Sequence, residues 1–173
     1  MHVAPGLGNA MGAIYAAKFA NTPIIITAGQ QELGHGLTEP LLYDSLVPMA
    51  EPLVKWAVEV TRLQDLPRIV RRAAKIAMTP PMGPVFISLP GDILNEEDAL
   101  ELGSRTRIQT KVCPTEETLN ALADRMIEAK NPVILVGHEI ATDRAFEEAG
   151  NIADVLGCAV YQQTVQYLSL IHI

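Results

Sequence analysis

Continuous apolar runs are the clearest feature of the hydrophobic pattern along the chain. Three of them, at 23–28, 85–89 and 133–137, are dominated by Ile, Val and Leu. A run without polar alternation is typical of a strand buried on both faces of a parallel sheet. Residues 54–60 alternate enough to predict a strand with one more exposed side, and residues 158–161 predict a further strand.

Segments with helical spacing lie between the predicted strands. In the clearest one, Asp65 precedes apolar positions that lie opposite a basic face, and Pro80-Pro81 ends the helix. Strands alternating with helices predict an α/β fold. We expect a flavodoxin-like parallel sheet with helices on both faces, incomplete in this chain, and then the beginning of a second, Rossmann-like α/β domain. Other helices are predicted at 9–20, from Thr38 to Pro48, at 115–130 and at 143–156.

A polar stretch without persistent periodicity divides this pattern into two parts. We predict a first domain over 1–94, a linker over 95–114 and the start of a second domain over 115–167. The chain opens in what reads as the middle of a strand, so we expect the natural reading frame to extend upstream of Met1. Residues 168–173 follow no predicted element and back-translate into the transposon-end sequencing adapter CTGTCTCTTATACACATC. We therefore predict that they are a scar of sequence assembly.

Composition and charge narrow the classes of partner. The chain has 173 residues, 49% of them hydrophobic, and a net charge of −7. No run of Lys and Arg is long enough to follow a phosphate backbone, so we expect neither nucleic acid nor an anionic membrane as a partner. No apolar run reaches the roughly 18 residues of a membrane span. We predict no signal peptide, and the two cysteines match no metal or redox spacing. A cytoplasmic protein without metal ligands of its own is expected.

The beginning of the chain carries the most suggestive chemistry. Pro5 ends a strand, and Gly6 and Gly8 predict a tight loop in which a ligand can approach the backbone closely. Asn9 then caps the following helix. In open α/β sheets ligands bind at the carboxyl ends of strands beside helix N-termini, and His2 is the titratable residue at this edge.

Purely structural interpretations of the same residues stay open at this point. Most Gly-x-Gly turns before a helix only connect elements, and Met11 stands where the dinucleotide-binding fingerprint requires its third glycine. Gln30, at the carboxyl end of the next predicted strand, either contacts a ligand or caps a loop. His2 either faces a cleft or only caps the end of its strand.

Five segments of the first predicted domain keep a distinctive order and spacing. Together they resemble the thiamine-diphosphate-dependent decarboxylase/carboligase superfamily, and within it the benzoylformate decarboxylase branch most. Residues 115–163 are similar, more weakly, to the start of the central domain of that family. The five segments are His2-x-x-x-Gly6-x-Gly8-Asn9-Ala10-Met11-Gly12-Ala13, Pro23-Ile24-Ile25-Ile26-Thr27-Ala28-Gly29-Gln30-Gln31, Glu39-Pro40-Leu41-Leu42, Pro52-Leu53-Val54-Lys55-Trp56 and Gly83-Pro84-Val85-Phe86-Ile87-Ser88-Leu89-Pro90.

The resemblance implies a specific active site. Residues 1–94 would form the later part of the pyrimidine-binding domain, and a partner subunit would close the site, so a homodimer or homotetramer is expected. The reaction would be decarboxylation of a 2-oxo acid with thiamine diphosphate and Mg²⁺. His2 matches the proton-transferring histidine of the family, and the ordinary histidine pKa of ~6.5 suits that role. The implied cofactor contacts are Gly6, Gly8, Asn9 and Gln30.

Two parts of the family's site are absent from the sequence. The glutamate that activates the cofactor would lie upstream of Met1. The Gly-Asp-Gly motif that binds metal and diphosphate would lie downstream of the chain. We therefore expect the chain by itself to be inactive and assign the function to a longer parent enzyme.

Two alternatives to the decarboxylase remain. An acetolactate-synthase-like carboligase would carry a Phe-Gln pair near the loop where this chain has Leu41-Leu42-Tyr43. Such enzymes usually lack the early histidine, so His2 favours a decarboxylase. Outside the superfamily, a non-catalytic flavodoxin-like binding domain is the remaining hypothesis, and the flanking sequence would distinguish it from an enzyme.

Overall fold

A computed structural model describes residues 1–104, 109, 111–137 and 139–162 of the chain. The predicted assembly scar at 168–173 lies outside the described residues. The helices and strands, in chain order, are α1 (Val3–Phe19), β1 (Ile25–Gln30), α2 (Leu46–Ala50), β2 (Ala57–Glu59), α3 (Leu66–Met78), β3 (Val85–Pro90), α4 (Gly91–Asn95), α5 (Glu116–Glu128), β4 (Val133–Val136), α6 (Glu139–Thr142), α7 (Phe146–Leu156) and β5 (Ala159–Gln162).

Contacts within the chain define two compact units. The first unit is Met1–Thr110 and the second is Lys111–Ile173. Each unit has its own parallel sheet, so the α/β class predicted from the apolar runs is confirmed. The boundaries that the sequence suggests, at 94 and 115, remain predictions.

The first unit is built on a parallel sheet in the order β1-β3-β2. Phe86 in the middle strand lies opposite Ile26 of β1 and Ala57 of β2. Met1 and His2 extend the sheet beyond β1: the Gly29 amide donates to the Met1 carbonyl oxygen at 3.0 Å. His2 forms an isolated parallel bridge with Gly29. The chain therefore enters the first unit as a short extended segment at the edge of the sheet.

Helices cover both faces of this sheet, as predicted. On one face Phe86 belongs to a buried cluster with Leu7 of α1 and Leu46 of α2. On the other face Val85 and Ile87 of the same strand pack with buried alanines of α3. Side chains alternate between the two faces along a strand, which is why β3 contributes to both clusters. A continuous apolar run is the sequence signature of such a doubly covered strand.

The tight glycine loop predicted at the start of the chain is wrong. The first helix begins at Val3 rather than at Asn9, so Gly6 and Gly8 lie inside α1. Val3 and Leu7 are spaced one helical turn apart, and both are buried. Their burial outweighs the cost of two helical glycines, about 1 kcal/mol each relative to alanine.

The prediction of a helix that begins at Thr38 is also wrong. The segment instead forms a short 3₁₀ turn at His35–Thr38, and α2 begins only at Leu46. Glu39 and Leu42 have φ angles of 46° and 72°, in the left-handed region that interrupts a helix. Two short helices, α4 and α6, were not predicted, because each is too short to show a period in the sequence.

Lys55 fastens the C-terminal end of α3. Its Nζ donates hydrogen bonds to the carbonyl oxygens of Ile76 and Thr79, each at 2.6 Å. Partial burial lowers the pKa of this amino group below its ordinary value. The last carbonyls of a helix have no partner within the helix, so a cation placed there satisfies them and stabilises the negative end of the helix dipole.

Replacing Lys55 by Met is expected to lower the free energy of unfolding by about 1 kcal/mol, because the end of α3 loses its donor. Equilibrium urea unfolding of the chain measures the change. Lys111→Met removes an exposed lysine that lies outside the helices and serves as the matched control. Equal losses from the two substitutions would contradict the capping role of Lys55.

The second unit contains a two-stranded parallel sheet, in which Val133 of β4 lies opposite Ala159 of β5. The helix α5 precedes β4, and its N-terminus is capped by Thr115, whose Oγ1 accepts a hydrogen bond from the Thr118 amide at 3.3 Å. The helix α7 ends at Gly157, whose φ of 59° suits a left-handed helix end. Strand, helix and parallel strand thus follow one another as the sequence predicts.

Candidate functional site

The carboxyl ends of the strands in the first unit form one edge of its sheet. His2 lies at this edge, directly before α1, and its side chain is exposed. The imidazole makes no capping hydrogen bond to the helix. A Cβ atom added at Gly29 would lie 3.8 Å from His2 Nδ1, an ordinary van der Waals contact, so the ring lies beside the Gly29 backbone. The imidazole is therefore available to a ligand at the edge where ligands of open α/β sheets bind.

The predicted backbone contacts lie along the first two turns of α1. The Gly6 amide donates to the His2 carbonyl oxygen at 3.1 Å, which joins the helix to the strand end. Gly8 and Asn9 are exposed, and a Cβ added at Gly8 meets no atom within 4 Å. These residues thus surround the beginning of a helix instead of forming a loop, and their exposed side is open.

Gln30 has a different setting from the other predicted cofactor contacts. Its side chain is only 8% exposed. The Nε2 atom donates to the Asp44 carbonyl oxygen at 2.8 Å, and the Oε1 atom accepts from the Gln31 amide at 2.8 Å. Both ends of the amide group are therefore engaged within the chain.

A cleft of about 370 Å³ opens at the same edge of the sheet. Glu59, at the end of β2, faces it half-buried, and its Oε2 accepts a hydrogen bond from the Ser88 hydroxyl at 2.9 Å. Sequence reasoning missed this carboxylate, although its place at the end of a predicted strand was a usable signal. The cleft is lined by Gln30, Gln31, Glu32, Leu33, Gly34, Gly36, Leu37, Tyr43 and Glu59.

Two other kinds of site are missing from the part of the chain that the structure describes. Within those residues no group of three or more His, Cys, Asp or Glu side chains is arranged to hold a metal ion. None of the described helices has both the length and the apolar composition needed to cross a membrane. The polar groups described at this edge include His2, the start of α1 and the cleft carboxylates of Glu32 and Glu59.

The sequence is similar to several curated enzymes, although no family model matches it. It is 31% identical to benzoylformate decarboxylase from Pseudomonas aeruginosa over 159 residues, which cover 90% of this chain and 30% of that protein. It is 26% identical to the large subunit of acetolactate synthase isozyme 3 from Escherichia coli, over 90% of this chain and 28% of that protein.

Solved structures show the same likeness in three dimensions. Benzoylformate decarboxylase from Polynucleobacter necessarius superimposes with a TM-score of 0.81 and is 36% identical, over 93% of this chain and 30% of that one. The thiamine diphosphate-dependent 4-hydroxybenzoylformate decarboxylase of Rhodococcus jostii gives a TM-score of 0.82 and 31% identity, over 94% and 31%. The chain thus spans about three-tenths of the length of the relatives it matches. In sequence and in fold alike, the proteins that the chain resembles are thiamine-diphosphate-dependent enzymes, with benzoylformate decarboxylases among them.

Proposed function

We propose that the chain is a segment of a thiamine-diphosphate-dependent 2-oxo-acid decarboxylase of the benzoylformate decarboxylase type. The observation that carries the proposal is the exposed His2 imidazole at the carboxyl edge of the sheet, directly before α1. The decarboxylase relatives, at 31% and 36% identity, support it. In this assignment residues 1–94 belong to the pyrimidine-binding domain, 95–114 to a linker and 115–167 to the start of the central domain.

His2 is the residue of this chain that we assign to proton transfer. Thiamine diphosphate, when bound, supplies the electron sink that lets carbon dioxide leave a 2-oxo acid. His2 holds or accepts a proton at an imidazole nitrogen beside the reacting carbon. A histidine can do both near neutral pH, because its ordinary pKa lies there.

The exposed start of α1 fits the organic part of the cofactor. Gly8 and Asn9 present exposed backbone and a small polar side chain there, Gly6 is half-buried one turn after His2, and the space beside Gly8 is open. We place the Mg²⁺ and diphosphate ligands outside the chain, with a partner subunit closing the site in a cytoplasmic homodimer or homotetramer.

An acetolactate-synthase-like carboligase is the second candidate. The similarity to the Escherichia coli acetolactate synthase subunit, at 26% identity over 90% of the chain, favours it. The two candidates differ in what becomes of the decarboxylated substrate. A decarboxylase protonates it and releases an aldehyde, which requires a proton donor such as His2, whereas a carboligase joins it to a second carbonyl compound.

The full-length enzyme, recovered with its flanking sequence, is expected to release carbon dioxide and an aldehyde from a 2-oxo acid when thiamine diphosphate and Mg²⁺ are present. Benzoylformate and pyruvate serve as aryl and alkyl test substrates, and product analysis separates free aldehyde from coupled product. Acetolactate as the main product would establish the carboligase instead. A well-folded protein that neither binds thiamine diphosphate nor turns over a 2-oxo acid would contradict both enzyme candidates. It would support the hypothesis of a non-catalytic binding domain.

A further inference from the structure

One glutamine holds both ends of a long surface loop at the functional edge. We define the edge loop as residues 31–45, which join β1 to α2. Gln30 accepts from the Gln31 amide at the first residue of this loop and donates to the Asp44 carbonyl oxygen near its end. Because the side chain is 8% exposed, these two bonds are largely shielded from water.

The end of the edge loop that Gln30 holds lies against the first turn of α1. The Ala4 amide donates to the Leu42 carbonyl oxygen at 3.4 Å, two residues before Asp44. Ala4 itself is two residues after His2, and the amide of Gly6 in the same turn donates to the His2 carbonyl oxygen. Two hydrogen bonds, joined by the two-residue backbone step from Leu42 to Asp44, thus connect Gln30 to the helix turn that follows the histidine.

Apolar burial contributes little to the placement of the edge loop. Leu37 and Leu41 are 91% and 85% exposed. Gly34, Glu39 and Leu42 all have φ angles between 46° and 83°, conformations that cost energy for residues other than glycine. Hydrogen bonds therefore contribute to holding this loop. The Gln30 amide supplies two of them, and the Asp92 carboxylate accepts another from the Leu33 amide.

We propose that Gln30 is a positioning residue: it clamps the edge loop against the first turn of α1 and so fixes the backbone that presents His2. The inference rests on the proposed function for its catalytic consequence, but the clamp itself is a property of this chain. It differs from the cofactor contact expected of Gln30 from the family resemblance, because the amide group is already bonded at both ends.

Gln30→Glu removes the donor to Asp44 while keeping the size of the side chain, and Gln30→Met removes both bonds and keeps the burial. In the full-length enzyme we expect each substitution to lower kcat by ~10–100-fold, the scale of a small misplacement of a catalytic group. The affinity for thiamine diphosphate should stay within about twofold, and the histidine limb of the pH profile of kcat should shift. Gln64→Leu removes a hydrogen-bonded glutamine on the surface and is the matched control.

A second readout does not depend on activity. Amide hydrogen exchange of Ala4 in the 173-residue chain should accelerate by ~10-fold in either Gln30 variant and stay unchanged in Gln64→Leu. Unchanged Ala4 exchange would overturn the clamp. If Ala4 exchange accelerates in the Gln30 variants but the full-length protein has no decarboxylase activity, the positioning role of Gln30 is supported and the proposed function is rejected.

The kinetic measurements distinguish a positioning role of Gln30 from a cofactor-binding role and from a purely structural role. A large loss of thiamine diphosphate affinity with normal kcat at saturation would show that Gln30 is a cofactor ligand and contradict the positioning role. A lower melting temperature with normal kcat and an unchanged pH profile would show a purely structural role, which would also contradict it. If Gln30→Glu fails to fold, Gln30→Met gives the same comparison without a buried charge.

Discussion

Replacing His2 by Ala in the full-length enzyme is expected to lower turnover by ~10²–10⁴-fold, the usual cost of removing a positioned proton donor or acceptor. His2 is exposed at the carboxyl edge of the sheet, and its imidazole makes no capping hydrogen bond to α1. We therefore expect the ring to contribute little to stability. Cofactor affinity should change little, because we place the diphosphate and metal contacts outside this chain. Steady-state kinetics and a cofactor-binding titration measure the two quantities.

His35 provides the matched control for this substitution. It is a second exposed histidine of the first unit, in the 3₁₀ turn of the edge loop. Gly34 and Gly36 on either side of it line the cleft, but His35 itself does not. His35→Ala is expected to leave turnover within about twofold, as for most surface substitutions away from a site. Wild-type turnover in well-folded His2→Ala enzyme would end the catalytic assignment. A lower melting temperature with normal turnover would show that His2 only supports the strand end.

The doubly buried strands were predictable because their signal is local. The run at 85–89 contains no alternation, and the structure buries it between helices on both faces, in parallel register with β1. The start of α1 was not predictable in the same way. Gly6 and Gly8 by themselves favour a turn over a helix. The helix is stabilised by the burial of Leu7 in the same cluster as Phe86, which lies in a distant strand.

The candidate site shows the same division between local and distant information. His2 was found because it stands beside a predicted strand end, a relation visible within a few residues of sequence. The roles of Gln30 and Glu59 depend on partners far along the chain: Asp44 across the edge loop and Ser88 on the neighbouring strand. Which side chains pair across a sheet depends on the strand order β1-β3-β2 and its register, which no single segment encodes.

Phe86→Ala is expected to lower the free energy of unfolding of the chain by ~3–5 kcal/mol, the usual cost of removing a buried aromatic ring. The ring is fully buried in the central strand, where it packs with Leu7 and Ile14 of α1 and with Leu46 of α2. β3 is the central strand of the first unit's sheet and pairs with β1 on one side and with β2 on the other. Domain stabilities are typically only ~5–15 kcal/mol, so the variant should be largely unfolded at moderate urea concentrations.

Two further variants separate the effect of buried volume from that of removing any aromatic ring. Phe86→Leu keeps most of the buried volume and should cost less than ~1.5 kcal/mol if volume is what matters. Tyr15→Ala removes an aromatic ring that is 58% exposed on α1, and should change stability by no more than about 0.5 kcal/mol. Urea unfolding followed by circular dichroism compares the three. A loss from Tyr15→Ala as large as that from Phe86→Ala would mean that the exposed side of α1, rather than the cluster around Phe86, holds the first unit together.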